Sequence, residues 1–195
     1  ALCGCSPLGA APGAPALPPA EQASAADRIA RAFTGACLSA PDAETAVAAI
    51  QAQGWPAFRR IWSRPDSVFY ATRPGSDTPV RLLITSDRTR PGPARPRLSC
   101  VSHYVAGDAA PMVAAFEQRW GASRPGPRGG RVWSFRRSAA GALAAAPIRE
   151  GAGAETLAAA LSALQPGDAL VYAQVTYTAG RHDVAALVTV RRQGG

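Results

Sequence analysis

The last stretch of the chain limits the fold most. Ala169–Thr178 and Asp183–Arg192 are two runs rich in valine, tyrosine, threonine and alanine, separated only by Ala179-Gly180-Arg181-His182. In the second run Val184, Ala186, Val188 and Val190 take every other position, the spacing that sets side chains on one face of a strand. Two such runs joined by a short connection containing glycine pair as an antiparallel hairpin. A lone hairpin is marginal in water, so the rest of the chain has to extend this sheet and cover its valine face.

Four more segments carry strand composition: Ser67–Arg73, Val80–Ser86, Arg97–Val105 and Arg131–Ser138. Pro74-Gly75-Ser76-Asp77 reads as the turn between the first two, and the Arg- and Pro-rich 88–97 as an exposed loop. Helical spacing marks four further segments. A first helix runs over about 24–38, with Ser24 as N-cap and Ile29, Phe33 and Cys37 on one face. A second spans about 42–53, entered through Pro41-Asp42 and ended at Gly54. Trp55-Pro56-Ala57-Phe58 follows as an aromatic corner. A third, about 109–120, is capped by Asp108 and carries Val113, Phe116 and Trp120. A fourth spans about 154–164, and residues 139–153 read as irregular. The order is ααβββαβ(α)ββ. Strands adjacent in sequence without crossover helices give an α+β fold. It has an antiparallel sheet of about six strands, helices packed on one face and a helical N-terminal segment.

Residues 1–23 separate from this domain, which takes 24–195. The segment from 6 onward is dominated by Pro, Ala and Gly without apolar periodicity, the composition of a flexible tether. Ahead of it, Leu2-Cys3-Gly4-Cys5 resembles the bacterial lipobox, in which an aliphatic residue, a small one and Gly or Ala precede the lipidated cysteine. The resemblance implies lipidation at Cys5. The alternative is the tail of a signal peptide that is cleaved off altogether. Both export the protein, to the periplasm, to the outer membrane or beyond it. No run of 18 apolar residues is present, so contact with the membrane is expected through a lipid anchor only.

With Cys3 and Cys5 in the leader, the domain keeps Cys37 and Cys100. An even pair in an exported domain suggests a disulfide; two separate buried thiols are the other reading. Zinc needs clustered Cys or His, and the two histidines, His103 and His182, do not supply it.

The chain has no lysine or asparagine, and all 21 basic residues are arginine. This is the signature of a GC-rich gene and says nothing of function by itself. The net charge of +8 and pI near 10.3 do favour anionic surfaces. Arg88, Arg90, Arg95 and Arg97 fall in one loop. Arg124, Arg128, Arg131, Arg136 and Arg137 follow in a second basic region. Brought together, Arg88, Arg90, Arg95, Arg97, Arg128 and Arg131 can grip phosphates or carboxylates bidentately. No nucleic-acid recognition motif accompanies them.

Catalytic signatures are weak. A hydrolase would need His103, in Ser102-His103-Tyr104, beside an acid and a nucleophile, and no G-x-S-x-G elbow exists to provide one. His182-Asp183 reads as an exposed hairpin tip. Gly126-Pro-Arg-Gly129-Gly130 lacks the spacing and the lysine of a phosphate loop. No cofactor is implied.

Ala32-Phe33-Thr34-Gly35-Ala36-Cys37-Leu38, then Pro41-Asp42, Gly54-Trp55 and Leu98-Ser99-Cys100-Val101 resemble segments of small uncharacterised exported proteins of alphaproteobacteria. That resemblance implies compartment and a paired-cysteine domain, and no activity. The expectation is a non-catalytic envelope protein, a binding module for a partner protein or an anionic envelope polymer. The alternative is a small hydrolase-like periplasmic enzyme with its site near His103.

Overall fold

The structure, a computed structural model, describes residues 16–64, 67–72, 80–87, 97–146 and 154–192. Cys3, Cys5, the 74–77 turn and most of the 88–97 loop lie outside the described residues, as does 147–153.

Helix α1 (Pro19–Ala32) starts at Pro19 rather than Ser24. Proline is favoured at a first helical position because its missing N–H has no partner to lose there. Leu17 is buried ahead of it and donates its N–H to Val105 O at 3.0 Å. Gln22 Nε2 in turn donates to Leu17 O at 2.6 Å. Residues 17–23 therefore belong to the fold, although their composition reads as tether. The helix continues as a π-helical turn, Phe33–Cys37. As the spacing predicts, Ile29, Phe33 and Cys37 all face the core. α2 (Ala43–Ala52) begins at Asp42, whose side chain accepts from Thr45 N at 2.8 Å, satisfying an otherwise orphaned amide.

Nine antiparallel strands follow in one sheet, not six. They are β1 (Phe58–Arg64), β2 (Ser67–Thr72), β3 (Arg81–Asp87) and β4 (Arg97–Val105), then β5 (Arg124–Pro125), β6 (Arg131–Arg137), β7 (Leu143–Ala145), β8 (Ala169–Thr178) and β9 (Asp183–Arg192). Between β4 and β5 lies α3 (Ala110–Trp120), and between β7 and β8 lies α4 (Ala154–Ser162). The strand order is β1-β2-β3-β4-β9-β8-β6-β5, with β7 also on β6. The first four strands form a meander. α3 then carries the chain past an unfilled gap to β6, and the β8–β9 hairpin fills that gap. The most sequence-evident hairpin thus ends up in the middle of the sheet.

The three strands that composition does not announce sit at sheet edges. β1 carries the exposed Arg59 and Arg60 and has its register broken between Arg60 and Trp62. Short, charged or bulged strands are how sheets blunt edges against further pairing. β5 and β7 pair with opposite halves of β6 and are two and three residues long.

The main core lies between the sheet and α1, α2 and α3. It joins Ile29, Phe33 and Ile50 to Ile84, Val171 and Val188. Phe116 of α3 is its aromatic hub, 4.4 Å from Trp120, 5.7 Å from Trp133 and 6.2 Å from Phe33 by ring centroid. Arg119 Nη2 locks α3 to α1 by donating to Asp27 Oδ1 at 2.7 Å. Helices do not all share one face. α4 packs Leu161 and Leu164 on Leu170, whose neighbours Ala169 and Val171 point into the main core, so alternation puts α4 on the opposite face. Cys37 and Cys100 form the disulfide, fully buried between the π-helical turn and β4.

Candidate anion-binding end of the sheet

Strand direction gathers arginines that the sequence scatters. β4 starts at Arg97, β9 ends at Arg191 and Arg192, and β6 ends at Arg136 and Arg137. Because neighbours run antiparallel, these termini meet at one end of the sheet. Arg97 is the register partner of Arg191, Arg192 that of Ala169, and Ala169 that of Arg137.

Two of these guanidiniums brace the helix layer. Arg192 Nη2 donates to Leu38 O at 2.9 Å and Arg137 Nη2 to Ser39 Oγ at 3.3 Å. They meet the chain just past the π-helical turn, where unpaired carbonyls favour cations. Burial, and then the repulsion of Arg137, lowers the pKa of Arg192 from its ordinary value. Arg136, on the other face, pairs with the buried Asp168 at 3.4 Å. Asp168 is itself held by the amides of Ala139 and Gln165, so its charge is shared rather than spent on one arginine. Asp87 is the register partner of Arg97. Arg136, Arg137, Arg191 and Arg192 thus gather at this end, two on each face of the sheet.

Three of the six arginines singled out from sequence fall within the described residues. Arg88, Arg90 and Arg95 lie outside the described residues, while Arg97 opens β4. Arg128 sits in an exposed 3₁₀ turn with φ of 55°. Arg131 is a structural clamp: its Nε donates to Ser123 Oγ at 2.6 Å, and Glu117 Oε1 lies 3.8 Å from its Nη2. Through Val175 and Ala186, Arg131 shares a register row with Ser102. Ser102 is five residues along β4 from Arg97, roughly 16 Å at strand rise. Arg191 and Arg192 went unmarked because their significance depends on β9 lying beside β4, which strand order alone decides.

His103 has acquired an acid. Its Nδ1 lies 3.3 Å from Asp183 Oδ2, with both side chains about nine-tenths buried, where the carboxylate can accept a hydrogen bond from the imidazole N–H. Asp183 is therefore not part of an exposed tip, although His182 is, with φ of 49°. Among the described residues no hydroxyl or thiol is hydrogen-bonded to His103. Among those residues, too, no group of three or more His, Cys, Asp or Glu could hold a metal ion.

No family model, curated protein or solved structure matches this chain.

Proposed function

We propose that this protein is a non-catalytic binding module of the bacterial envelope, and that the arginine-bearing end of its sheet takes an anionic envelope polymer. The observation that carries this reading is the gathering of Arg136, Arg137, Arg191 and Arg192 at one end of the sheet, where Arg137 and Arg192 repel one another. Two unit charges 4 Å apart repel by about 1 kcal/mol even in water. A polymer with repeated phosphates or carboxylates turns that repulsion into attraction and is held by forked guanidinium contacts.

The buried disulfide suits an oxidising, exported compartment. No helix among the described residues is long and apolar enough to cross a membrane, a statement that does not bear on β-barrels. In this reading Cys5 carries a lipid, the segment after it spaces the domain from the bilayer, and the chain is kin to the exported proteins it resembles. The hydrolase alternative near His103 has its acid in Asp183; the reading we favour is binding, because the arginines gather where a polymer could reach them.

The test is titration with polyphosphate and poly-L-glutamate at increasing salt. Saturable binding that weakens log-linearly with salt supports the proposal. Absence of binding at low salt, or binding indifferent to salt, overturns it.

A further inference from the structure

The opposite edge of the sheet holds a second feature, independent of the arginine end. β5 pairs only with Arg131 and Val132 of β6, and β7 only with Phe135 to Arg137. Trp133 and Ser134 fall between them, where Ser134 O accepts from Ala146 N at 3.1 Å just past the end of β7. A half-open cavity of about 340 Å³ occupies this notch, lined by Trp120, Trp133, Ser134, Phe135, Leu143 and Arg124, and by small alanines of β7. Its size is at the lower end of the range of small-molecule sites.

Its walls have three unusual members. Trp120 Nε1 and Ser134 Oγ are both buried and have no hydrogen-bond partner among the described residues, and both residues are about nine-tenths buried. Leaving such groups unpaired costs about 1–3 kcal/mol each, and native proteins seldom leave them so without a reason. The neighbouring indole shows the contrast, since Trp133 Nε1 donates to Gly121 O at 2.9 Å. The third member is Arg124. It is exposed at the rim and makes no hydrogen bond or ion pair among the described residues, whereas nearby Arg131 and Arg119 are both engaged. Trp120 meets Trp133 edge-on at 6.0 Å and Phe135 at 5.5 Å, which gives a rigid aromatic wall.

We infer that this notch is a binding site for a small aromatic carboxylate. The ring lies against Trp120, Phe135 and Leu143, and the carboxylate meets the Arg124 guanidinium. Alanines along β7 leave the room that larger side chains would take.

The probes are phenylacetate, its neutral isostere phenylacetamide, and acetate, followed through the four indole N–H resonances of the full chain. Phenylacetate should bind with a dissociation constant below about 1 mM. It should move the Trp120 resonance and leave Trp55 and Trp62 in place. Arg124→Gln should weaken phenylacetate by about tenfold or more while changing phenylacetamide by less than about twofold. Ala144→Phe, which fills the notch from an exposed position, should abolish both. The melting temperature and the Trp55 resonance report that each variant is folded; should Ala144→Phe not fold, the Arg124→Gln comparison still decides. A Trp120 resonance that stays still at 10-fold excess over that limit overturns the inference. So does equal sensitivity of the two isosteres to Arg124→Gln, or acetate binding as well as phenylacetate. Arg137→Gln and Arg191→Gln should leave phenylacetate affinity unchanged, so the fate of this site is separate from that of the polymer site.

Discussion

Cys37 and Cys100 tie the end of α1 to the middle of β4, with Cα atoms 6.4 Å apart and 63 residues of chain closed between them. The loop contains α2 and the meander as far as β4, so the bond restrains about a third of the chain in the unfolded ensemble. In the chain-entropy model a loop of this size stabilises by about 4 kcal/mol. Cys37→Ala/Cys100→Ala should lower the urea midpoint accordingly, and reductant should raise the intact mass of the unfolded wild type by two protons for this bridge. Equal stability with and without the bridge would contradict this.

Tyr104 gives a pH dependence with a definite sign. Burial, and then the nearby Asp108, pushes its phenol well above its ordinary 10.0. The unfolded chain ionises first, so stability is intact below pH 10 and falls above it, by about 1.4 kcal/mol per pH unit for this group. Tyr70 shifts the same way, through burial and then its hydrogen bond to Glu44; the wild-type-minus-variant difference isolates Tyr104. The Tyr104 hydroxyl is also buried without a partner among the described residues. Tyr104→Phe should therefore be neutral or stabilising at pH 7 and should flatten the alkaline limb. Denaturant midpoints at pH 7 and pH 10.5 check both; a variant less stable at pH 7 contradicts the burial argument.

Elements whose residues make the signal were legible in sequence. Asp42 caps α2 and the alternating valines build β9, as their chemistry dictates. Cys37 faces inward because Ile29 and Phe33 set its helical face. β1 was hidden because Arg59, Arg60 and Arg64 interrupt its apolar content at an exposed edge, and β5 and β7 are too short to show a period. The start of α1 was hidden by Pro18 and Pro19, which suit a tether and a helical first turn equally. The anion site was half visible. Arg97 stood out in a basic run, but Arg191 reaches it only because the last hairpin inserts beside β4. His103 and Asp183 meet across strands 80 residues apart, for the same reason beyond local pattern.

Two glycines test the tightness of the turn that carries the cavity edge. A Cβ at Gly130 would stand 2.7 Å from Val175 O and 3.2 Å from Pro127 O, backbone atoms that cannot swing aside. Gly130→Ala should cost about 1–3 kcal/mol. Gly107 has open space around its Cβ position and no positive φ. There Ala should stabilise by up to about 1 kcal/mol by restricting the unfolded chain. Thermal melts of both variants should move in opposite directions; parallel shifts would contradict the contrast.

Glu117 is held below its ordinary 4.5, first by the Ser123 hydroxyl and then by the Ser123 amide. A depressed carboxylate stabilises above its unfolded pKa and loses that contribution as pH falls through its folded value. NMR titration of Glu117 should give a midpoint below 4.5, and Ser123→Ala should bring it back toward that value. A midpoint unchanged by Ser123→Ala would contradict the assignment of cause.

The arginine end is tested most directly by comparing two double variants that remove the same charge. Arg137→Gln/Arg191→Gln alters the proposed site, while Arg59→Gln/Arg60→Gln alters the far edge strand β1. Polyphosphate affinity is measured from low to physiological salt, with melting temperature as the folding control. The site variant should lose affinity at every salt concentration and its log–log salt slope should fall by about 2, one for each arginine in contact. The β1 variant should keep the wild-type slope. Equal losses in both variants, or none in either, would show that overall charge rather than this end of the sheet governs binding, and would contradict the account.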